Sequence, residues 1–310
     1  MTEIKRILCP IDFSDHSRHA LDHAVAIARW YESTITLLHV CAAIPVAAYA
    51  PGTPVLPSAV LTEADRDELR ASMKRFAVDE GAGALPVEME VIEGNTVAEI
   101  LLAAERLKSD LLVMGTHGRS GFERLVLGSA TEKVLRKAAC PVLSVPRGAT
   151  DAVSAVPVVF TDILCAVDFS DCSMHALKYA TSMAQESDAR LTVLHVVEPM
   201  PEWPPRAAGE VEVWSERFND YIAEVEEDRR TRLAAAVPGS ARAYCTVETE
   251  MATGTPYREI LRVAEKRSSD LIVIGIHGRN PVDILFFGST AQHVVRQAAC
   301  PVLTLRMGNR

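Results

Sequence analysis

The 310-residue sequence predicts two tandem, doubly wound α/β domains, each built on a five-stranded parallel sheet. Three observations carry this reading. Short apolar runs alternate with segments of helical periodicity along the whole chain. The pattern occurs twice: Ile7-Leu-Cys-Pro-Ile-Asp-Phe-Ser-Asp15 returns as Ile163-Leu-Cys-Ala-Val-Asp-Phe-Ser-Asp171, and Leu37-Leu-His-Val40 returns as Val193-Leu-His-Val196. Each half also carries an apolar run ending in glycine, then Gly-x-x-Gly, nine residues and Gly-Ser: Gly115 to Ser129 and Gly275 to Ser289. A repeat as long as a domain indicates tandem domains rather than a solenoid.

In the first half, residues 4–11 read as a strand, with Ser14 as N-cap of the helix that follows. Leu21, Ala24, Val25 and Ala28 form its apolar stripe. Residues 34–40 make the second strand, and 41–57, rich in proline, a loop. Leu69, Met73 and Phe76 mark a second helix. Residues 87–92 are the third strand; Asn95 or Thr96 caps a helix to about Leu107. Strand four is 111–114, and after the glycine loop come a helix over 130–138 and strand five at 142–145. The second half repeats this from Asp162, with Thr255-Pro256 as N-cap and first-turn pair. Its long second helix carries a stripe of Trp214, Phe218, Tyr221, Ile222 and Val225, read as core, beside a solvated acidic run at Glu224–Asp228. The domains are expected at 1–147 and 158–310, joined by a linker at 148–157.

Ligands of open parallel sheets bind beyond the carboxyl ends of the strands. Asp12 and the glycine loop after strand four both fall at that edge. Glycines allow close backbone approach and φ > 0, and a helix N-terminus offers unpaired N–H groups and partial positive charge. Each Gly-Ser copy therefore has the makings of a phosphate cradle; a plain strand-to-helix turn is the competing reading. Asp12 and Asp168 suit a ribose diol or a bound metal, or they cap the next helix; Ser14 competes for that cap and would free the carboxylate. His39 and His195, inside apolar strands, read as satisfied core residues. His117 and His277 would touch a phosphate or make a structural hydrogen bond. The Gly-x4-Gly-Lys-Ser/Thr loop is absent, and Arg119 and Arg279 are the nearest matched cations. No zinc pattern or nucleophile elbow occurs.

Net charge is −9, which argues against nucleic acid or an anionic membrane as the main partner. The apolar run after Lys5-Arg6 is too short for a signal peptide, and the low-charge stretch 41–50 is too short to span a bilayer. The seven cysteines include no Cys-x-x-Cys pair and read as buried thiols of a reducing cytoplasm.

These features together resemble the universal stress protein family. The carriers are Asp12-Phe-Ser, Leu-His-Val40, Gly115-x-x-Gly118-x9-Gly128-Ser129 and Ala-Cys-Pro-Val-Leu, each recurring in the second half. The resemblance implies a Rossmann-like fold with strand order 3-2-1-4-5 that holds ATP, with magnesium on its phosphates. It implies that Asp12 meets the ribose or the metal, the Val40 backbone the adenine edge, and Pro10 the base pocket. Gly115, Thr116, His117, Gly118, Arg119, Gly128, Ser129, Ala130 and Thr131 would surround the phosphates. In the second half the matches are Ala166 (in place of Pro10), Asp168, Val196, Gly275, His277, Gly278, Arg279, Gly288, Ser289 and Thr290, with Asp168 as the second metal-side carboxylate. Asn280-Pro281 replaces Ser120-Gly121, so the second site is expected to differ. The resemblance further implies pairing through the fifth strands into an internal pseudo-dimer, with further homodimerisation open. The expected role is a cytoplasmic, ATP-binding stress-response sensor or signalling module with weak or no hydrolysis. Its rivals are a slow ATPase or nucleotide-dependent transferase, and a scaffold whose unknown protein partner binds the acidic helix Glu210–Leu233.

Overall fold

The computed structural model describes residues 2–42, 61–116, 127–146, 158–198, 211–239, 241–277 and 287–307, without the side chains of 211–223. In the first half, β1 (Arg6–Pro10), β2 (Thr34–Ala42), β3 (Val87–Gly94), β4 (Leu111–Gly115) and β5 (Val142–Val145) alternate with α1 (Asp15–Tyr31), α2 (Glu63–Asp79), α3 (Thr96–Arg106) and α4 (Ser129–Lys137). The second half runs β6 (Asp162–Ala166), α5 (Asp171–Ser187), β7 (Arg190–Val197), α6 (Val211–Ala236), α7 (Ala241–Tyr244), β8 (Val247–Thr253), α8 (Pro256–Arg267), β9 (Leu271–Gly275), α9 (Ser289–Gln297) and β10 (Val302–Leu305). One 3₁₀ turn, Ala82–Ala84, and the four-residue α7 are additions to the expected order. The proline-rich loop at 43–60 and the linker at 147–157 lie outside the described residues.

The strands form one ten-stranded sheet in the order β3-β2-β1-β4-β5-β10-β9-β6-β7-β8. Each half thus has the order 3-2-1-4-5. Within each half the pairs are parallel, and the antiparallel pair is β5 with β10, where Leu143 faces Leu303. This is the fifth-strand pairing that the resemblance implies. An unpaired β5 would be an open template for another chain, and β10 covers it. Both strands are buried throughout, so their hydroxyls need partners. Ser144 donates to the Val302 carbonyl and Thr304 to that of Val142, each at 3.1 Å. Tyr31 of α1 donates to Ser182 of α5 at 3.0 Å, and Arg296 pairs with Glu132 at 3.2 Å, so the halves meet on both faces of the sheet.

The central strands are apolar because both faces are covered. Leu111–Met114 and Leu271–Ile274 are buried along their length. One face packs α1, α2, α5 and the C-terminal end of α6 against Ile7, Cys9, Leu37 and their repeats; the other packs α3, α4, α8 and α9 against Leu8, Leu38, Leu112 and theirs. Cys9 and Cys165 are fully buried, and burial pushes Cys9 up to about 12 and Cys165 higher still.

Helix starts follow the sequence, with exceptions. Ser14, Asn95 and Ser170 cap α1, α3 and α5 through their side chains. Thr255 occupies the N-cap of α8 ahead of Pro256 but makes no side-chain cap bond. Gly128 and Gly288 occupy the N-caps of α4 and α9, where no side chain can cap the first-turn N–H groups.

Candidate functional site

In both halves the chain leaves its first strand through a strained turn. Phe13 and Phe169 adopt φ of 62° and 64°, a left-handed conformation that costs a bulky residue of order 1 kcal/mol or more. Each ring lies against a histidine of the next strand: Phe13 on His39 at 4.8 Å and Phe169 on His195 at 4.5 Å. Those histidines are tied in turn by Nδ1 to the carbonyls of Ile11 and Val167, each at 2.8 Å. The Asp-Phe-Ser and Leu-His-Val signatures are therefore one structural unit. The histidine fixes the end of the first strand, the phenylalanine folds over it, and the aspartate is set at the sheet edge. The core reading of His39 and His195 holds for their Nδ1 bonds, and His195 additionally forms part of a cavity wall.

The expectation that Ser14 frees Asp12 is corrected. Ser14 accepts from the Ser17 N–H as a cap, and its own N–H and hydroxyl both reach Asp12 Oδ1, at 3.0 and 2.5 Å. The Ser17 hydroxyl adds a third donor at 2.5 Å. A small hydroxyl serves as donor and acceptor at once, so capping the helix and holding the carboxylate do not compete. Asp168 Oδ1 takes the Ser170 N–H and hydroxyl at 3.0 and 2.6 Å, while the Ser173 hydroxyl turns to the Ser170 carbonyl.

Gly128 and Gly288 have φ of −56° and −58°, so positive φ is not what they supply. A Cβ on Gly288 would lie 2.6 Å from the Ile276 carbonyl oxygen, which accepts the Gly288 N–H at 2.9 Å. The Gly128 N–H likewise reaches the Thr116 carbonyl at 2.8 Å. A Cβ on Gly275 would meet Cys172 and the Ser173 nitrogen at 3.0 Å. At Gly288 glycine is required because its backbone lies against the Ile276 carbonyl, and that contact brings the first turn of α9 to the end of β9.

In the second half this arrangement lines an open cleft of about 390 Å³ beyond the carboxyl ends of β6, β7 and β9, within the size range of small-ligand sites. Ala166, Asp168, Val196, Gly275, His277, Gly288, Ser289 and Thr290 all line it. These are eight of the ten residues named from sequence; Gly278 and Arg279 lie outside the described residues. The uncapped start of α9, with Ser289 exposed at its first position, forms the wall most favourable to an anion. Leu194, Ile260 and Ile274 give an apolar floor. Sequence reading missed Glu198, at the exit of β7, and Arg229, on α6.

In the first half Pro10 lies at the end of β1, paired in register with Leu38, and Val40 at the end of β2. Thr116 is buried beside Gly115, and Ser129 and Ala130 open α4. The Thr131 hydroxyl donates to the Gly115 carbonyl at 2.9 Å, so it ties α4 to β4. His117, Gly118 and Arg119 lie outside the described residues, as do Ser120-Gly121 and Asn280-Pro281. Among the described residues no three His, Cys, Asp or Glu converge as metal ligands.

The universal stress protein family model matches residues 3–146 and again 160–306. The chain belongs to the universal stress protein family. Its two matched halves make it a tandem member of this family of stress-response proteins. A universal stress protein of Methanocaldococcus jannaschii is 38% identical over 144 residues, covering 46% of this chain and 82% of that protein. One from Mycolicibacterium smegmatis is 27% identical over 306 residues, covering 97% of this chain and 96% of its own. The crystal structure of a universal stress protein from Archaeoglobus fulgidus superposes with a TM-score of 0.62 at 22% identity, over 99% of this chain and 98% of that one, so the two share the fold. No helix among the described residues is long and apolar enough to cross a membrane.

Proposed function

We propose that each half of this universal stress protein, residues 1–147 and 158–310, binds ATP or a related adenine nucleotide, and that the chain acts in the cytoplasm as a nucleotide-dependent sensor or signalling module. The observation that carries the reading is the convergence of eight residues, chosen from sequence for a nucleotide, on one cavity. The start of α9 would hold the phosphates through its N–H groups and the Ser289 hydroxyl. Asp168, held by Ser170, would accept from the ribose diol or meet nucleotide-bound magnesium. The Val196 backbone would meet the base edge above the apolar floor. In the first half Asp12, Val40, Pro10, Gly128 and Ser129 would take the same parts. Gly118, Arg119, Gly278 and Arg279 are carried over from the family signature.

Weak or no hydrolysis is part of this reading, and the sequence of the phosphate loop supports it. Phosphoryl transfer needs a cation clamp and a positioned nucleophile as well as metal. No lysine directly follows either Gly-Ser signature, and among the described lining residues the arginine is Arg229, from α6. Mass spectrometry of small molecules released from the purified protein tests the reading. An adenine nucleotide at up to two equivalents per chain is expected. Release of a different ligand class, together with no ATP binding by the emptied protein, would overturn it.

A further inference from the structure

The cavity of the second half holds a charge that nucleotide binding of the expected kind does not use. Arg229 lines it from α6, half-buried, and makes no ion pair among the described residues. Its neighbour Arg230 is exposed and paired with Glu227 at 2.8 Å, so the two adjacent arginines have different environments. Among the described residues, Glu226 stands one turn earlier on α6, and Asp168 and Glu198 line the same cavity.

The first half has no cation at the matching position. The sheet registers set Ile35 beside Val87 and Leu191 beside Val247, and the same alignment places Met73 of α2 on Leu233 of α6, both buried in the same core cluster. Arg229 then corresponds to Leu69, which packs on that core, and Glu198 to Ala42 at the end of β2. An apolar position has become a cation aimed into the site.

Arg229 also lies far from the phosphate wall. Helix α9 starts beyond β9, whereas α6 connects β7 to β8. Two to three strand spacings separate them, roughly 10–15 Å. That spacing separates the roots of the two elements, so Arg229 and the α9 start approach the cavity from opposite sides. Arg229 suits a second anionic group on the same ligand, much as an arginine beside a ribose-binding carboxylate accommodates an added ribose phosphate.

We infer that Arg229 gives the second half specificity for an adenine nucleotide with a second phosphate remote from the one at α9, either on the ribose or at the far end of a dinucleotide. This rests on the nucleotide reading of the cavity.

The test uses the full chain in a Ser129→Glu background, which places an acid at the first turn of α4 so that titrations report the second half. Affinities are measured for AMP, adenosine 3′,5′-bisphosphate and an adenine dinucleotide. The bisphosphate or the dinucleotide should bind at least tenfold tighter than AMP, and whichever does identifies where the second phosphate lies. Arg229→Leu, the residue of the first half, should erase that ratio, and Arg230→Leu should keep it. A ratio near one in the parent, or one that survives Arg229→Leu, overturns the inference. Ser289→Glu separates the two failures. If it abolishes AMP binding while the ratio ignores Arg229, the site stands and the specificity falls. If AMP binding ignores Ser289→Glu, the site itself falls and the inference with it.

Discussion

The two halves share one scaffold and differ in what they place on it. Both keep the left-handed phenylalanine, the histidine tie and a backbone-closed glycine at the start of the phosphate-side helix. In the first half the Ser17 hydroxyl donates to Asp12 Oδ1, whereas in the second the Ser173 hydroxyl, which accepts from the Asp168 N–H, donates to the Ser170 carbonyl. The first half has Pro10, Ala42 and Leu69 where the second has Ala166, Glu198 and Arg229. Away from the site, the first half alone carries a half-buried acid pair, Asp22 with Glu80, closed by Arg18 at 2.5 Å; Met174 and Lys178 stand where Arg18 and Asp22 would repeat. The repeat thus keeps its backbone geometry and varies the side chains at the strand ends and on the second helix of each half.

The shared part gives the largest expected effect. Gly288→Ala should destabilise the protein by about 1–3 kcal/mol, since a methyl cannot move a backbone carbonyl 2.6 Å away. Gly128→Ala should match it, because the two glycines have nearly the same dihedrals. Urea unfolding of both variants checks this, and a loss confined to one would break the equivalence of the halves. For the same reason a larger residue at either glycine is a poor probe of ligand binding, and the exposed Ser129 and Ser289 are better ones.

The acid pair sharpens the contrast. Burial, then the hydrogen bond and repulsion from Glu80, push Asp22 up to about 7, against the attraction of Arg18. The folded state therefore binds this proton more tightly than the unfolded chain, so stability falls as pH rises from about 4 to about 7. Asp22→Asn should remove roughly 1 kcal/mol of that fall, allowing for solvent screening of a partly exposed group. Unfolding free energies at several pH values would show it, and an unaltered pH slope would refute the assignment.

The smallest effect is expected of the thiols. All seven cysteines are free, and burial pushes Cys140 up to about 11 and Cys300 to about 12, so both should remain protonated and slow to alkylate in the native state. Seven thiols should titrate after denaturation without reductant, and a deficit of two would contradict the free state.

The strands were legible from sequence because parallel strands covered on both faces must be continuously apolar, as Leu111–Met114 and Leu271–Ile274 are. Three helix starts were legible through Ser14, Asn95 and the repeat of Ser14 at Ser170. The role of Gly288 was not, because it depends on a carbonyl twelve positions earlier in the chain, a tertiary contact. Arg229 was hidden for a related reason. Helix α6 is 26 residues long, and which of its side chains reach the cavity depends on how it rotates against β8. The 3₁₀ turn at Ala82–Ala84 and the four-residue α7 are too short to leave a periodicity.

The central claim is one nucleotide site per half, unequal in strength. It is tested most directly by calorimetric titration of the emptied full chain with ATP and magnesium, alone and as Ser129→Glu and Ser289→Glu. The first half retains Pro10 and, in its loop, Gly121 with an N–H that Pro281 cannot offer. One charge-assisted hydrogen bond contributes about 1.5–3 kcal/mol, or roughly ten- to a hundredfold in affinity. The account predicts a tight phase lost in Ser129→Glu and a weaker phase lost in Ser289→Glu. Two equal and independent sites, or binding that ignores both substitutions, would contradict it.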